Sequence, residues 1–322
     1  MKAIAITQPG EPEVLQLKER TRPEPSGNEI LVRVAGAGVN RADLLQRMGA
    51  YPPPPGASED IPGLEYAGEV VATGPRTSLF GKGDHVMGLV PGGAYAEYVC
   101  VPEATAMSVP GGMDLTRAAA LPEAFLTAYR ALFMEGALEA GESVLIRAAT
   151  SGVGQAAIQL AAFAGARVFA GSRQAERLRG LEDLGASVAF QDSGDVAHRA
   201  IGAGGVDLAL EFLGGDFFTE NLALLRKGGR LVLIGLIAGR EATVDLGAFL
   251  GRHLHLHAFT MRSMPAYQRA AISQQFAHRF LPAFESGRLR PVVGATYPLG
   301  DAAQAHKDMA DGKVLGKLIL TP

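Results

Sequence analysis

The decapeptide AATSGVGQAA, residues 148–157, combines residue types and spacing that could do chemistry. It approaches G-x-G-x-x-G, with Ala149 and Ser151 where the first two glycines would stand and Gly152 and Gly154 in place. A glycine turn entering a helix lets a pyrophosphate meet unpaired N–H groups at the positive end of the helix dipole. Two glycines alone could equally mark a tight turn with close helix–strand packing. The flanks favour the nucleotide: SVLIRAA before the turn reads as a buried strand, and VGQAAIQLAAFAG after it as an apolar helix ended by Gly165. The candidate phosphate contacts are Ser151, Gly152, Val153 and Gly154. Further along, RVFAG reads as a second strand, and the residues at its end choose the ribose. An NAD site carries a carboxylate about 20 residues past the turn. Here Ser172 and Arg173 hold that position, and no carboxylate comes before Glu176. A hydroxyl with a guanidinium suits a 2′-phosphate, which a carboxylate would repel. The expected cofactor is therefore NADPH, with Arg177 either a further contact or a residue on a solvated helix face.

These residues need a scaffold, and the pattern supplies one. QAERLRGLEDLG reads as an amphipathic helix, and VDLALEFLG, DFFTENLALLRKGG and RLVLIGL as strand, helix and strand. Alternation at this spacing implies a parallel sheet with helices on both faces. Before it, KAIAIT, EILVRVAGAGV, EYAGEVVATG, GDHVMGLV and AYAEYVCV are short strands punctuated by Gly and Pro, as in a partly closed barrel. EAFLTAYRALFMEGAL reads as one helix with Pro122 in its first turn. After about residue 265, a helix (AISQQFAHRFLPAFESG) precedes two strands, VVGATYPL and GKLILTP, that flank the helix DAAQAHKDMADG. The expected layout is a β-rich domain over 1–122, a dinucleotide-binding domain over 123–265, and the rest of the β-rich domain over 266–322.

Bulk properties narrow the function. The 322 residues are 48% hydrophobic and 20% charged, with net charge −3. That composition supports a large core, and without a basic block it does not favour nucleic acid. No stretch approaches a membrane span, and MKAIAITQPG is too short an apolar run for a signal peptide, so a cytoplasmic protein is expected. Cys100 is the single cysteine. It permits no disulfide within the chain and no cysteine-rich zinc site, and it reads as a small apolar strand residue.

Several segments together, VNRADLLQRMGAYPPPPGAS, IPGLEYAGEV, GGAYAEYV, AALPEAFLTAYRAL, SVLIRAATSGVGQAAIQLA and GKLIL, carry a resemblance over nearly the whole chain. The sequence resembles the zinc-free quinone oxidoreductases, or zeta-crystallin-like proteins, of the medium-chain dehydrogenase/reductase superfamily. The first segment looks most like the tumour-suppressor-inducible branch. The resemblance implies a Rossmann doubly wound parallel sheet inserted in a GroES-like, partly open β-barrel. Zinc-dependent relatives carry Cys at the position of Asn40 and Gly-His-Glu at Gly63-Leu64-Glu65. Leu64 cannot bind metal, so no zinc site is expected. What remains is hydride transfer from NADPH to a quinone, a conjugated acceptor on whose oxygen charge develops.

By the same resemblance, Asn40 and Tyr51 lie near the nicotinamide as candidate catalytic groups. Thr127, Gly152, Val153, Ser172, Gly235 and Leu236 contact the cofactor, with Phe259 and Lys317 as further candidates. Asn40 could instead cap the helix RADLLQRMG, and Tyr51 could simply pack on the PPPP turn. Asp192 stands after the third strand of the nucleotide domain, where relatives often have a Tyr near the adenine. Glu65, Glu123 and Glu211 read as solvated or helix-capping carboxylates, and Asp84 as part of a turn. HLHLH, 253–257, reads as an edge strand with His253, His255 and His257 on one face, suited to pairing across a two-fold axis in a homodimer. Two other functions fit the same features. One is reduction of α,β-unsaturated aldehydes or ketones. The other is a non-catalytic, crystallin-like protein binding NADPH and RNA.

Overall fold

The computed structural model describes residues 1–193 and 195–322. The chain divides into two compact units: Met1–Leu126 with Met261–Pro322, and Thr127–Thr260.

The first unit is built on a seven-stranded sheet. Its long central strand, Glu29–Gly38, pairs antiparallel with Glu65–Thr73, Tyr98–Pro102 and the final strand Lys317–Thr321. Glu65–Thr73 continues to His85–Leu89, and Lys317–Thr321 pairs in parallel with Val293–Pro298. Thus the C-terminal segment completes the barrel begun at the N-terminus. Register shifts along Glu29–Gly38 bend the sheet, as bulges do where a sheet curls toward closure. Ile30, Val32, Tyr66, Val86, Tyr95, Val101 and Leu318 fill the interior. Each large apolar side chain so buried is worth about 1.5–3 kcal/mol.

The second unit is a six-stranded, wholly parallel sheet. Across it run Val188–Gln191, Arg167–Ser172, Ser143–Ile146, Val206–Glu211, Leu225–Leu233 and His255–Ala258. In chain order this is 3-2-1-4-5-6, the doubly wound dinucleotide-binding arrangement. All six residues of Val206–Glu211 are buried, as a central strand covered on both faces requires. Together the two units carry the Rossmann and GroES-like architecture implied by the sequence.

Some elements differ from the sequence reading. The helix expected through EAFLTAYRALFMEGAL is α-helical only over Pro122–Tyr129 and widens to a π-helix over Arg130–Glu135. QAERLRGLEDLG yields a 3-10 turn, Ala175–Arg177, and one short helix, Leu178–Glu182. The helix Asp216–Leu224 stops early because Leu225 is already extended and starts the next strand. Arg226 from that strand reaches the Asp207 carboxylate, and the Arg252 guanidinium donates to the Leu225 carbonyl, which holds this start in place. His253 has φ +53° and lies outside the edge strand, so only His255 and His257 alternate on one face there. No helix among the described residues is long and apolar enough to cross a membrane.

Candidate active site

In the barrel unit the candidate residues converge on a buried charge cluster. The helix Arg41–Arg47 begins at Asn40, whose backbone N–H donates to the Asp43 carboxylate at 2.8 Å. The Asn40 side-chain amide nitrogen donates to Glu65 Oε1 (2.9 Å) and the Gly38 carbonyl (3.3 Å). Its amide oxygen accepts from Lys317 Nζ at 2.6 Å. Lys317 also donates to the Val39 carbonyl (3.1 Å) and pairs with Glu65 at 2.5 Å. Two hydrogen bonds and one ion pair thus hold the ammonium. Glu65 is completely buried, and its second oxygen accepts from the Glu123 backbone N–H at 2.7 Å. Asn40 and Glu65 are thus both tied to one internal cation.

Behind this cluster runs a second buried chain of polar groups. Asp43 accepts from the Gly63 N–H (3.2 Å) and from the Tyr95 hydroxyl (3.1 Å), which also lies 3.2 Å from His306 Nε2. Burial is the main cause that pushes the Asp43 carboxyl up to about 6, and burial lowers the His306 imidazole to about 3.

Tyr51 is half-buried, and Arg262 anchors its loop. The Arg262 guanidinium donates to the Tyr51 carbonyl (2.9 Å), the Pro91 carbonyl (2.9 Å) and Gln46 Oε1 (2.6 Å), and it lies 5.2 Å from the Tyr51 ring centre. Beside it a small pocket is lined by Leu64, Leu89, Val90, Glu123, Arg262 and Arg269, with Pro91 and Met261.

In the nucleotide unit the glycine turn joins Ser143–Ile146 to the helix Gly152–Phe163. Ser151 is the N-cap, and its hydroxyl accepts from the Gly154 N–H at 3.1 Å. A Cβ on Gly154 would come within 2.7 Å of the Ala148 carbonyl, so close strand–helix packing accounts for this glycine. The N–H groups of Gly152 and Val153 have no acceptor among the described residues. The Thr127 hydroxyl is buried and equally without a partner. An open helix N-terminus and an orphaned buried hydroxyl fit a dinucleotide.

Ser172 is buried, and its hydroxyl bonds the backbone of Gln174. Arg173 is exposed, and Arg177 is half-buried nearby. Gly235 closes against the turn that follows Val206–Glu211, since a Cβ there would meet the Phe212 carbonyl at 2.8 Å, while Leu236 stands exposed. Phe259 is buried beneath the Arg130 guanidinium, 4.4 Å from the ring centre. Asp192 lies against Arg147 at 3.7 Å, and the Arg147 guanidinium pairs with Glu220 at 2.8 Å and covers the Phe217 ring.

The sequence reading missed the charged hubs. Glu65 and Glu211 are not solvated; both are fully buried. Glu211 accepts from the backbone N–H groups of Leu213 and Gly214 and from Asn221 Nδ2. Their partners lie at sequence distances or turn geometries that no local pattern reveals. Asp84, by contrast, does close its turn by accepting from the Gly81 N–H at 2.8 Å. Cys100 is half-buried with its thiol pushed up to about 11, chiefly by burial, which leaves it protonated and a poor nucleophile.

Residues 26–111 match the family model of the alcohol dehydrogenase GroES-like domain, and residues 152–277 that of zinc-binding dehydrogenases. Among the described residues no group of three His, Cys, Asp or Glu is placed to hold a metal ion. A curated quinone oxidoreductase of Lama guanicoe is 34% identical over 99% of this chain and 97% of its own length. A solved Pseudomonas syringae quinone oxidoreductase superposes with TM-score 0.88 at 28% identity, covering 100% of this chain and 99% of that one. A mycobacterial protein complexed with NADPH superposes with TM-score 0.89 at 28% identity over 100% of both chains. With two matched domains, a full-length relative of this likeness and the fold to go with them, the chain belongs to the quinone oxidoreductase family of the medium-chain dehydrogenase/reductase superfamily.

Proposed function

We propose that this protein is a cytoplasmic, NADPH-dependent quinone reductase that transfers hydride without zinc. The observation that carries the reading is the Gly152 turn. Two amides without an acceptor among the described residues and the Ser151 cap open the helix, and the following strand ends at Ser172, with Arg173 rather than a carboxylate next. Gly152 and Val153 would hold the pyrophosphate, Ser172 with Arg173 and Arg177 the 2′-phosphate, and the Thr127 hydroxyl the nicotinamide end. Bound NADPH supplies the hydride. Asn40, through its tie to Lys317, and Tyr51, through Arg262, are the proposed residues of the acceptor side. Lys317 would act mainly by fixing Asn40, because its ammonium is already held by Asn40, the Val39 carbonyl and Glu65.

The His255–Ala258 edge strand, with Leu246, Leu250 and Leu256 exposed in the same unit, supports a homodimer formed through that edge. Analytical ultracentrifugation of the wild type and of Leu256→Lys reads this directly.

The test of function is oxidation of NADPH and NADH across a panel of naphthoquinones, ortho-quinones and short enones. The expected result is a higher kcat/KM for quinones than for enones, with NADPH preferred. Arg173→Asp should erase that preference, and an unchanged cofactor ratio in this variant would refute the 2′-phosphate assignment.

A further inference from the structure

Reduction of a quinone needs a proton as well as a hydride, and the barrel unit contains a carboxyl suited to deliver it. Glu123 sits in the first turn of the helix Pro122–Tyr129 and lines the small pocket beside Leu64, Leu89, Val90, Pro91 and Met261. These walls are apolar, and Arg262 and Arg269 complete the lining. Among the described residues no hydrogen bond or ion pair engages the Glu123 carboxyl.

The cations of its neighbourhood are held by other groups, although Arg269 Nε has no partner among the described residues. Lys317 is held by Glu65, Asn40 and the Val39 carbonyl. Arg262 is held by three acceptors, the carbonyls of Tyr51 and Pro91 and the side chain of Gln46. Arg269 donates to the Met264 carbonyl. The nearest anions are Glu65, whose oxygen takes the Glu123 backbone N–H, and Asp43. A carboxyl buried beside apolar side chains and near other carboxyls, with no hydrogen bond or ion pair of its own among the described residues, is pushed toward its protonated form. Burial, then Glu65, push it up to about 8, with Asp43 adding to the rise and Lys317 and Arg262 opposing it.

The position also fits. Glu65 links Glu123 to Asn40, and Arg262 links the pocket to Tyr51. Asn40 and Tyr51 are the two residues proposed for the acceptor side. The helix N-terminus beneath Glu123 favours the carboxylate that remains after the proton has left. The pocket is small, so it would admit the carbonyl edge of a flat acceptor rather than the whole ring system.

We propose that Glu123 is a catalytic acid that gives its proton to the acceptor oxygen made anionic by hydride addition; this rests on the quinone-reductase reading above. In the step, a C–H bond of the reduced nicotinamide breaks and its electron pair and hydrogen reduce the quinone to a hydroquinone monoanion. The Glu123 O–H bond then breaks, and the new O–H bond forms on the second hydroquinone oxygen. Glu123 is left as a carboxylate and regains a proton from water. The sum is quinone, NADPH and one proton going to hydroquinone and NADP⁺.

The experiment pairs Glu123→Gln with Glu123→Asp and uses 1,2-naphthoquinone with NADPH between pH 6 and 10. In the wild type kcat should fall as pH rises past about 8. Glu123→Gln should lower kcat by roughly 100-fold with KM little changed, and should lack that alkaline limb. Glu123→Asp should recover part of the rate. Independently of turnover, infrared spectra of the protein without NADPH should show a protonated-carboxyl band at pH 7 that fades by pH 9 and is missing from Glu123→Gln. If Glu123→Gln fails to fold, the wild-type band and the Glu123→Asp profile decide. Full kcat with the limb intact in Glu123→Gln, or no such band in the wild type, overturns the proposal alone. A wild type that reduces no quinone overturns the functional reading with it.

Discussion

Around Lys317 the buried charges answer one another, whereas around Gly152 the polar groups are left open. The ammonium of Lys317 donates to Val39 and Asn40 and pairs with the Glu65 carboxylate. At the other site the amides of Gly152 and Val153 and the hydroxyl of Thr127 find no partner among the described residues. A closed cluster holds shape; an open one leaves donors for a ligand. The difference assigns rigidity to the barrel site and dinucleotide affinity to the turn, and it sets the direction of each substitution.

The largest effect is expected where the closed cluster is opened. Lys317→Met leaves Glu65 buried with no counter-ion, and breaking a buried pair from one side costs about 3–5 kcal/mol. Urea unfolding should show a loss of that size, and Glu65→Gln in the same chain should restore most of it. Equal stability of Lys317→Met and wild type would show that the cluster does not carry the load assigned to it.

Behind the cluster, Asp43 and His306 set opposing pH dependences. His306 is lowered from its ordinary 6.5 to about 3, so between those values the unfolded chain binds a proton that the folded one refuses. Its contribution is complete above about 6.5 and drains away as pH falls. Asp43 is raised from 3.8 to about 6, so the folded state binds the extra proton between those values. Its contribution is complete below about 3.8 and is lost as pH rises through 6. Each slope approaches about 1.4 kcal/mol per pH unit in the overlap. Wild-type stability should therefore change little between pH 6 and 4 from this pair. His306→Gln should gain stability on acidification across that range, and Asp43→Asn should lose it. Parallel curves for the two variants would contradict the assignment.

How much of this was legible in the sequence follows from the range of the contacts. The parallel sheet was readable because strand and helix alternate locally around Gly152 and Ser172, and the barrel because short strands are separated by Gly and Pro. The turn could be found because its meaning lies in adjacent residues. Glu65, Lys317 and Asp43 could not, because a carboxylate in a strand looks the same whether its partner is water or a lysine from the far end of the chain. Glu211 was obscured differently: its partners are the amides of the turn that follows it, a geometry set by Gly214 and Gly215 at positive φ. His253 looked like a strand residue from the HLHLH alternation alone, and only the backbone shows it turning before the strand begins.

The open site is probed by Thr127→Val, a swap that keeps shape and deletes the orphaned hydroxyl. In the barrel, deleting a polar partner costs stability. Here it should cost none and could add up to about 1 kcal/mol, because a buried group without a partner is unfavourable. Dinucleotide affinity should fall by roughly 2- to 12-fold, the loss of one hydrogen bond of about 0.5–1.5 kcal/mol. Calorimetric titration with NADPH beside a thermal melt of the unliganded protein separates the two. A destabilised apo-protein with unchanged affinity would place Thr127 with the closed cluster rather than the open turn.

The smallest effect tests the turn's own backbone. Ala148 precedes the Gly152 helix with φ +50°, a left-handed conformation that costs a non-glycine residue about 1–2 kcal/mol. It is held there because the Ala148 carbonyl accepts from the Ser151 N–H at 3.0 Å and packs under Gly154. Ala148→Gly removes the steric cost but gives the unfolded chain more freedom, which takes back roughly 0.4–1 kcal/mol. The net expectation is a gain of about 0.5 kcal/mol, seen as a small rise in the midpoint of thermal unfolding, with NADPH affinity preserved. A loss of stability would mean that the strain is already relieved within the turn. A gain in stability with a loss of affinity would mean that the strained alanine serves the ligand, holding the Gly152 and Val153 amides at the angle the pyrophosphate needs.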